Sequence, residues 1–153
     1  MKEELPIFLL GVVASLVGFA LLNFVVKPII TYKKKVLRIA SELRFYAHII
    51  TSPGASKELA DEASKVIRKC SCSLEANYLA VPLKNLLVLM NIVPTDKKVS
   101  EASGALMFIS NSLHREGKTF ENHNSLKTVY LNLSIKELKN RHNIKNEPNF
   151  KMD

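Results

Sequence analysis

Residues 5–26 read LPIFLLGVVASLVGFALLNFVV and contain no charged side chain. At a rise of about 1.5 Å per residue, a helix of this length crosses the roughly 30 Å hydrocarbon layer of a bilayer. A cleaved signal peptide needs a basic leader, a shorter apolar stretch and a small-x-small cleavage motif, and neither the leader MKEE nor the ending NFVV fits. A core helix of a soluble domain is the other alternative, which the uninterrupted apolar length disfavours. The stretch predicts one transmembrane helix.

Basic residues are distributed unevenly around this stretch. Lys2 alone precedes it, whereas five follow it before the first acid: Lys27, Lys33, Lys34, Lys35 and Arg38. Because Lys and Arg close to a span stay on the inner side, we predict a bacterial inner-membrane protein with a cytoplasmic C-terminus. Removing Lys2, Glu3 and Glu4 from the 22 basic and 14 acidic residues leaves 21 and 12 after position 26, a formal charge of +9. We expect the five basic residues to contact anionic lipid, with nucleic acid a weaker second partner because only Tyr32 adds an aromatic ring nearby.

The chain after the span is long enough for one compact domain. Apolar residues at helical spacing, separated by Pro, Gly and capping residues, predict helices and no strand. We therefore predict an all-α fold, in which a cytoplasmic bundle of about five helices follows one span. The helices are expected at about residues 31–50, 56–80, 82–90, 97–114 and 124–140. The chain then divides into a leader (1–4), the span (5–26), a basic hinge bent at Pro28 (27–35), the helical domain (36–143) and a frayed tail (144–153).

Two regions of the domain carry more specific predictions. Leucines and Met90 occupy nearly every face of the third helix, over residues 83–90, and this predicts a central position for it. Residues 115–124 combine Gly117 with mixed polar side chains and predict an exposed loop.

The sequence indicates little catalytic chemistry. Cys70 and Cys72 would point about 200° apart on a helix, so we expect free thiols and not a disulfide or a shared metal. Zinc-ligand spacing, a glycine-rich phosphate loop and paired carboxylates in apolar surroundings are all missing from the sequence. We expect no metal, no cofactor, no small-molecule substrate and no ordinary enzymatic activity.

Arg44 and His48 lie one helical turn apart at the edge of an apolar stripe. An arginine and a histidine on one face of a small helical bundle resemble the ribonuclease pair of the HEPN superfamily. The resemblance implies that the histidine moves a proton and the arginine stabilises phosphate charge. That family places four to six residues between the two, whereas three separate Arg44 from His48 and seven separate Arg115 from His123. An intact signature is therefore absent, and we interpret the pair as part of a solvated bundle edge; if the protein is a nuclease, Arg44 and His48 are the candidate catalytic residues.

Two further sets of small residues are candidate contact sites. Gly11, Ser15 and Gly18 fall within one narrow stripe of the span, where small side chains let a second helix approach closely. Ser110 and Asn111 could bond an adjacent loop or a partner subunit, or simply cap the end of their helix, which we favour.

The order of these features resembles a group of bacterial single-span membrane proteins with a helical cytoplasmic domain and no assigned activity. The resemblance rests on the span, the basic junction, Arg44-Phe45-Tyr46-Ala47-His48 with Pro53-Gly54, and Ile109-Ser110-Asn111-Ser112-Leu113. The same plan is similar to the HEPN-like membrane accessory protein of Cas13b-type CRISPR systems. We predict a self-associating, membrane-anchored interaction or regulatory module without catalytic activity. The alternative is an anti-phage or CRISPR-associated effector that oligomerises into a membrane pore or engages RNA.

Overall fold

The computed structural model describes residues 4–53 and 56–135, and the regular elements in this part of the chain are all helices, with no strand. The predicted all-α class is confirmed. Residues 1–3, the helix predicted to continue to residue 140, and the tail predicted for residues 144–153 lie outside the described residues. The elements are α1 (Glu4–Leu21), a π-helical turn (Leu22–Val26), α2 (Lys27–Phe45), α3 (Ala47–Thr51), α4 (Lys57–Leu79), α5 (Lys84–Leu89), α6 (Asp96–Ser112) and α7 (Thr119–Asn132).

The first three elements form one unbroken helix from Glu4 to Phe45. Residues 27–35, which the sequence predicts as a hinge, are helical from Lys27 onward, so the predicted break is wrong. Pro28 lacks a backbone N–H and its ring crowds the carbonyl of the preceding turn. The π-helical turn accommodates this proline, because the Lys27 N–H donates to the carbonyl of Leu22, five residues back.

Helices α2, α4, α6 and α7 form an antiparallel bundle. The rings of Tyr32, early in α2, and Tyr78, late in α4, have centroids 5.6 Å apart. Hydrogen bonds between Ser71 and Ser103 and between Ser64 and Ser110 then set α6 antiparallel to α4. We call the end of the bundle with Tyr32, Tyr78 and Pro94 the anchor end, because α1 leaves the bundle there.

The opposite end, called the far end, holds α3 and the connection between α6 and α7. There the side-chain amide of Asn122 in α7 donates to the carbonyl of Ile50 in α3 over 3.1 Å. α7 then runs back toward the anchor end, where Asn132 donates to Glu101 over 2.9 Å. The bundle thus closes without a further helix from the described residues.

The core follows the apolar stripes of the four long helices. Its most buried side chains are at most 1% exposed and come from each of these helices: Ile39, Leu43, Ile67, Leu74, Leu106, Ile109 and Val129. Burial of one such side chain contributes about 1.5–3 kcal/mol. Ala60, Ala63 and Ala102 are also buried, and their small size lets α4 and α6 pack closely.

The predicted boundaries of α4 and α6 are confirmed to within two residues. Ser56 precedes α4 as its N-cap residue, in an extended conformation. Thr95 caps α6, since its hydroxyl accepts from the Lys98 N–H over 3.4 Å. The first domain helix, predicted as one element over 31–50, instead turns at Tyr46 between α2 and α3.

The third predicted helix is not central. In α5 only Leu87 is buried, whereas its other leucines and Met90 are 52–79% exposed. Leu83, which precedes α5, adopts a left-handed conformation with φ of 51°. The turn this creates leaves α5 at the anchor end of the bundle, between Tyr78 and Pro94. Apolar composition predicted burial, but the core is already filled by the four long helices.

α7 begins five residues earlier than predicted, so residues 119–124 are helical and not part of a loop. The reason is tertiary: Asn122 is fully buried, where its amide meets Ile50 and the hydroxyl of Ser112. A polar residue that suggests a loop in the sequence is here a buried hydrogen-bonding residue in a helix.

Candidate membrane anchor and interaction surfaces

One helix of the described chain is long and apolar enough to cross a membrane, and it lies near the N-terminus. None of its apolar window is buried against the rest of the protein. Large side chains such as Leu10, Leu16, Phe19 and Phe24 are 63–72% exposed. A core helix of a soluble domain would bury these side chains, and this helix does not.

Gly11, Ser15 and Gly18 share one face of α1, as predicted from their spacing. With Val12, Leu16 and Phe19, Gly11 and Ser15 line a shallow groove along the helix. A methyl group added at Gly11 or at Gly18 would meet no other atom within 4 Å. The Ser15 hydroxyl donates to the carbonyl of Gly11 over 2.9 Å, so it needs no other acceptor in an apolar medium. This face has the shape and chemistry that close helix packing in a bilayer requires.

The polar side chains that follow α1 make their hydrogen bonds within the same continuous helix. The Asn23 amide donates to the carbonyl of Phe19 over 2.8 Å, and its oxygen accepts from the Lys27 ammonium. Thr31 donates to the carbonyl of Lys27 over 2.9 Å. The Lys27 ammonium therefore lies back along the apolar helix, an arrangement typical of lysines that bound a membrane span.

The basic cluster predicted beside the span lies on α2, close to where the apolar segment ends. At about 100° per residue, its five members spread over about 200° of the helix circumference. The remaining side packs against the bundle through Tyr32 and Ile39. Lys27, Lys33, Lys34 and Arg38 are exposed, and Arg38 makes a 3.5 Å ion pair with Glu42. Positive charge thus covers the side of α2 that faces away from the bundle, and it does not form a single flat patch.

Tyr32 and Tyr78 connect α2 to α4 next to this basic cluster. Burial, together with the neighbouring Tyr78, raises the pKa of the Tyr32 phenol well above its usual value. Burial and the Asp96 carboxylate raise the pKa of Tyr78 to about 12. The Tyr78 hydroxyl donates to the carbonyl of Pro94 over 2.9 Å, and the Lys84 ammonium lies 5.1 Å from its ring centroid. Both phenols therefore stay neutral at physiological pH.

Arg44 and His48 are exposed and belong to different helices, separated by the turn at Tyr46. Arg115 lies in the exposed connection before α7, and His123 lies within α7. His114 instead lies 3.5 Å from Asp61 at the surface. Within residues 4–53 and 56–135, no group of three His, Cys, Asp or Glu side chains could hold a metal ion.

Ser110 and Asn111 bond a neighbouring helix, and not a loop or their own helix end. Ser110 donates to the carbonyl of Ser64 over 2.9 Å, and Asn111 accepts from Arg68 over 2.7 Å. Ser64 and Arg68 were not singled out from the sequence. A signal was nevertheless present, because the serine pairs 64/71 in α4 and 103/110 in α6 each repeat at seven residues, which keeps them on one helix face.

The chain matches no protein-family model, no curated protein and no solved structure. The family resemblances described from the sequence therefore remain predictions.

Proposed function

We propose that this chain is a membrane-anchored, self-associating interaction module whose helical domain lies on the cytoplasmic side of the bacterial inner membrane. The observation that carries the proposal is the unbroken helix from Glu4 to Phe45. Its first half is apolar and unburied, and its second half packs into the bundle core through Ile39 and Leu43. An anchor that continues directly into a domain helix holds that domain close to the bilayer, with little freedom to reorient.

The basic cluster on α2 supports the proposed orientation and a contact with anionic lipid. Each basic residue close to a negatively charged membrane surface contributes about 1 kcal/mol of attraction. Lys27, Lys33 and Lys34 are exposed and lie within about two turns of the apolar segment. Arg38 contributes less, because Glu42 pairs with it.

The groove along Gly11 and Ser15 supports self-association. Leucine side chains gain little by leaving lipid for each other, so helices in a bilayer associate mainly through close packing at small residues. The space around Gly11 and Gly18 is open in a single copy, so a second copy could approach the backbone there. The natural partner of this face is the same face of another copy, related by two-fold symmetry.

The exposed positions of Arg44 and His48 favour a non-catalytic role. Phosphoryl chemistry needs a proton-transfer group and a charge-stabilising group that converge on one substrate atom. These two side chains flank a helical turn in solvent, so a converging geometry would have to come from a second copy.

The test is the mass of the intact particle, measured for the full chain in mild detergent. We expect a discrete small oligomer of this chain. A monomer without a partner would contradict self-association. A closed ring of many copies would favour the pore-forming effector over the interaction module.

A further inference from the structure

We propose that α5 and its flanking residues form a second membrane contact, in which an apolar surface at the anchor end lies in the interfacial layer of the bilayer. This surface, called the α5 face, consists of Leu79, Leu83, Leu86, Leu89 and Met90. The inference rests on the proposed membrane anchor. It adds a lipid-binding site formed by a part of the domain more than fifty residues after the span.

The α5 face is exposed far beyond what its composition would predict. Its five large apolar side chains are 52–79% exposed within twelve consecutive positions. Isolated apolar side chains on a surface are ordinary, but several of them clustered around one short helix mark a contact with another apolar phase. Only Leu87 of α5 is buried, and α5 is attached to the bundle by Leu87, by the half-buried Val88 and by the neighbouring Val81 and Val93.

The position of the α5 face indicates what covers it. Tyr78 contacts Tyr32, which lies six residues after Val26, or about 9 Å along the helix axis. The interfacial layer on one side of the hydrocarbon is about 5–7 Å thick, so Tyr32 lies just beyond this layer. α4 runs antiparallel to α2, so at Tyr78 it is heading toward the membrane. The connection from Leu79 to Val93 therefore lies at the end of the bundle that faces the bilayer.

The charges around the α5 face match a bilayer with anionic lipid. Lys84 opens α5, and its ammonium is held over the ring of Tyr78. Lys97 and Lys98, both exposed, begin α6 at the same end, and Lys33 and Lys34 flank Tyr32. An apolar face bordered by lysines is the pattern of helices that lie in the membrane interface. Two acidic residues lie at the same end: Asp96 beside Tyr78, and Glu101, which accepts a hydrogen bond from Asn132.

A bilayer is also favoured over a soluble protein as the occupant. The span already holds the domain at the membrane, so docking of the α5 face costs little additional loss of freedom. A second copy could also cover this face, and the experiment below distinguishes the two.

The test places a polarity-sensitive thiol fluorophore on the full chain, in a Cys72→Ser background. One variant carries Leu89→Cys in the α5 face, and the matched control carries Phe120→Cys at the far end. Both side chains are apolar and strongly exposed, at 79% and 71%, so neither substitution disturbs the core. Cys70 is buried and remains in both variants. Each protein is reconstituted in phosphatidylcholine–phosphatidylglycerol vesicles, and quenching by nitroxide-labelled lipid is measured.

We expect the probe at position 89 to be quenched several-fold more strongly than the probe at position 120, and to be blue-shifted. Equal, weak quenching of both probes in protein that floats with the vesicles would overturn the α5 contact and leave the proposed anchor intact. A disulfide between two copies through position 89, formed when unlabelled Leu89→Cys protein is treated with a copper–phenanthroline oxidant, together with no lipid quenching of the labelled protein, would assign the face to self-association and overturn the proposal as well. Protein that fails to float with vesicles would overturn the anchor, and the α5 contact with it.

Discussion

At the scale of single residues, Asn122 links three segments of the far end. It is fully buried, its amide donates to Ile50 and its oxygen meets the hydroxyl of Ser112. A buried polar group that loses its partner costs more than the average hydrogen bond contributes, because it cannot return to water. Asn122 is therefore the polar residue on which the junction of α3, α6 and α7 depends most.

We predict that Asn122→Ala lowers the free energy of unfolding by about 2–4 kcal/mol, since it strands the Ile50 carbonyl and opens a small cavity. The measurement is denaturant unfolding of the full chain in mild detergent, followed by circular dichroism. Asn124→Ala, at an exposed position two residues away, is the control and should change stability by a few tenths of a kcal/mol, about the size of an ordinary surface effect. Equal effects of the two variants would contradict the buried role of Asn122.

The two cysteines provide an independent check of α4. Cys70 is buried and Cys72 is exposed, so they lie on different sides of the helix, as their spacing predicts. Burial also raises the pKa of the Cys70 thiol, which lowers the fraction of reactive thiolate at neutral pH.

We predict that at neutral pH a maleimide modifies Cys72 rapidly in the native protein, whereas Cys70 reacts rapidly only after unfolding. Mass spectrometry of the native chain at neutral pH should show one label, and denatured protein should show two. Labelling of Cys70 in the native state should increase as the pH rises, because more thiolate forms. Rapid double labelling at neutral pH would mean that α4 does not pack through this face.

At the scale of elements, the small-residue face of α1 decides whether the span is only an anchor. Gly11→Leu with Gly18→Leu keeps the helix apolar, and a Cβ at either position has open space beside the helix backbone. Any effect on association must therefore arise in the contact between copies, and not in the fold of one copy.

We predict that this double variant loses most cross-linked oligomer in native membranes and still reaches the membrane. Ala20→Leu is the matched control, because position 20 lies about 180° around the helix from position 11 and should leave the cross-linked ladder unchanged. An identical ladder for the wild type and the double variant would limit α1 to anchoring.

The π-helical turn lets the helix from Glu4 to Phe45 continue past Pro28, a residue type that usually breaks a helix. Pro28 cannot donate to the preceding turn, and the chain responds with a wider turn at Leu22–Val26 that keeps the helix unbroken. A flexible hinge would let the domain tilt freely beneath the membrane. A continuous helix instead couples the rotation of α1 to that of the bundle, so in the proposed assembly packing between spans would also set how neighbouring domains face one another.

At the scale of the whole molecule, charge sets the proposed orientation. The basic cluster on α2 lies next to the apolar segment, where positive residues have the strongest influence on membrane orientation. We predict that a C-terminal reporter fusion is active only in the cytoplasm. Replacing Lys33, Lys34 and Lys35 by Gln should produce a fraction of inverted protein.

Lys97→Gln with Lys98→Gln is the control for this prediction, because these exposed residues lie too far along the chain from the span to influence its insertion. A reporter active only in the periplasm, in the otherwise unaltered chain, would contradict the proposed orientation.

Local sequence was sufficient to predict the helical class and the long helices α4 and α6. Apolar residues recur in them at the helical period, and Ser56 and Thr95 stand where N-caps are needed. The apolar helix α1 also follows from composition, because residues 5–26 contain no charged side chain, whereas its lack of burial is seen only in the structure. These features depend on residues close together in the chain, and a linear pattern contains them.

Only the tertiary structure decided what covers each surface. The leucines of α5 read as a core helix, yet four long helices fill the core first and leave them exposed at the anchor end. The polar residues before Asn124 read as a loop, yet Asn122 bonds a segment 72 residues away. Ser110 and Asn111 read as a helix end, yet they bond α4. Each of these outcomes depends on a contact between residues distant in the chain, and the energy of such a contact does not appear in any local pattern.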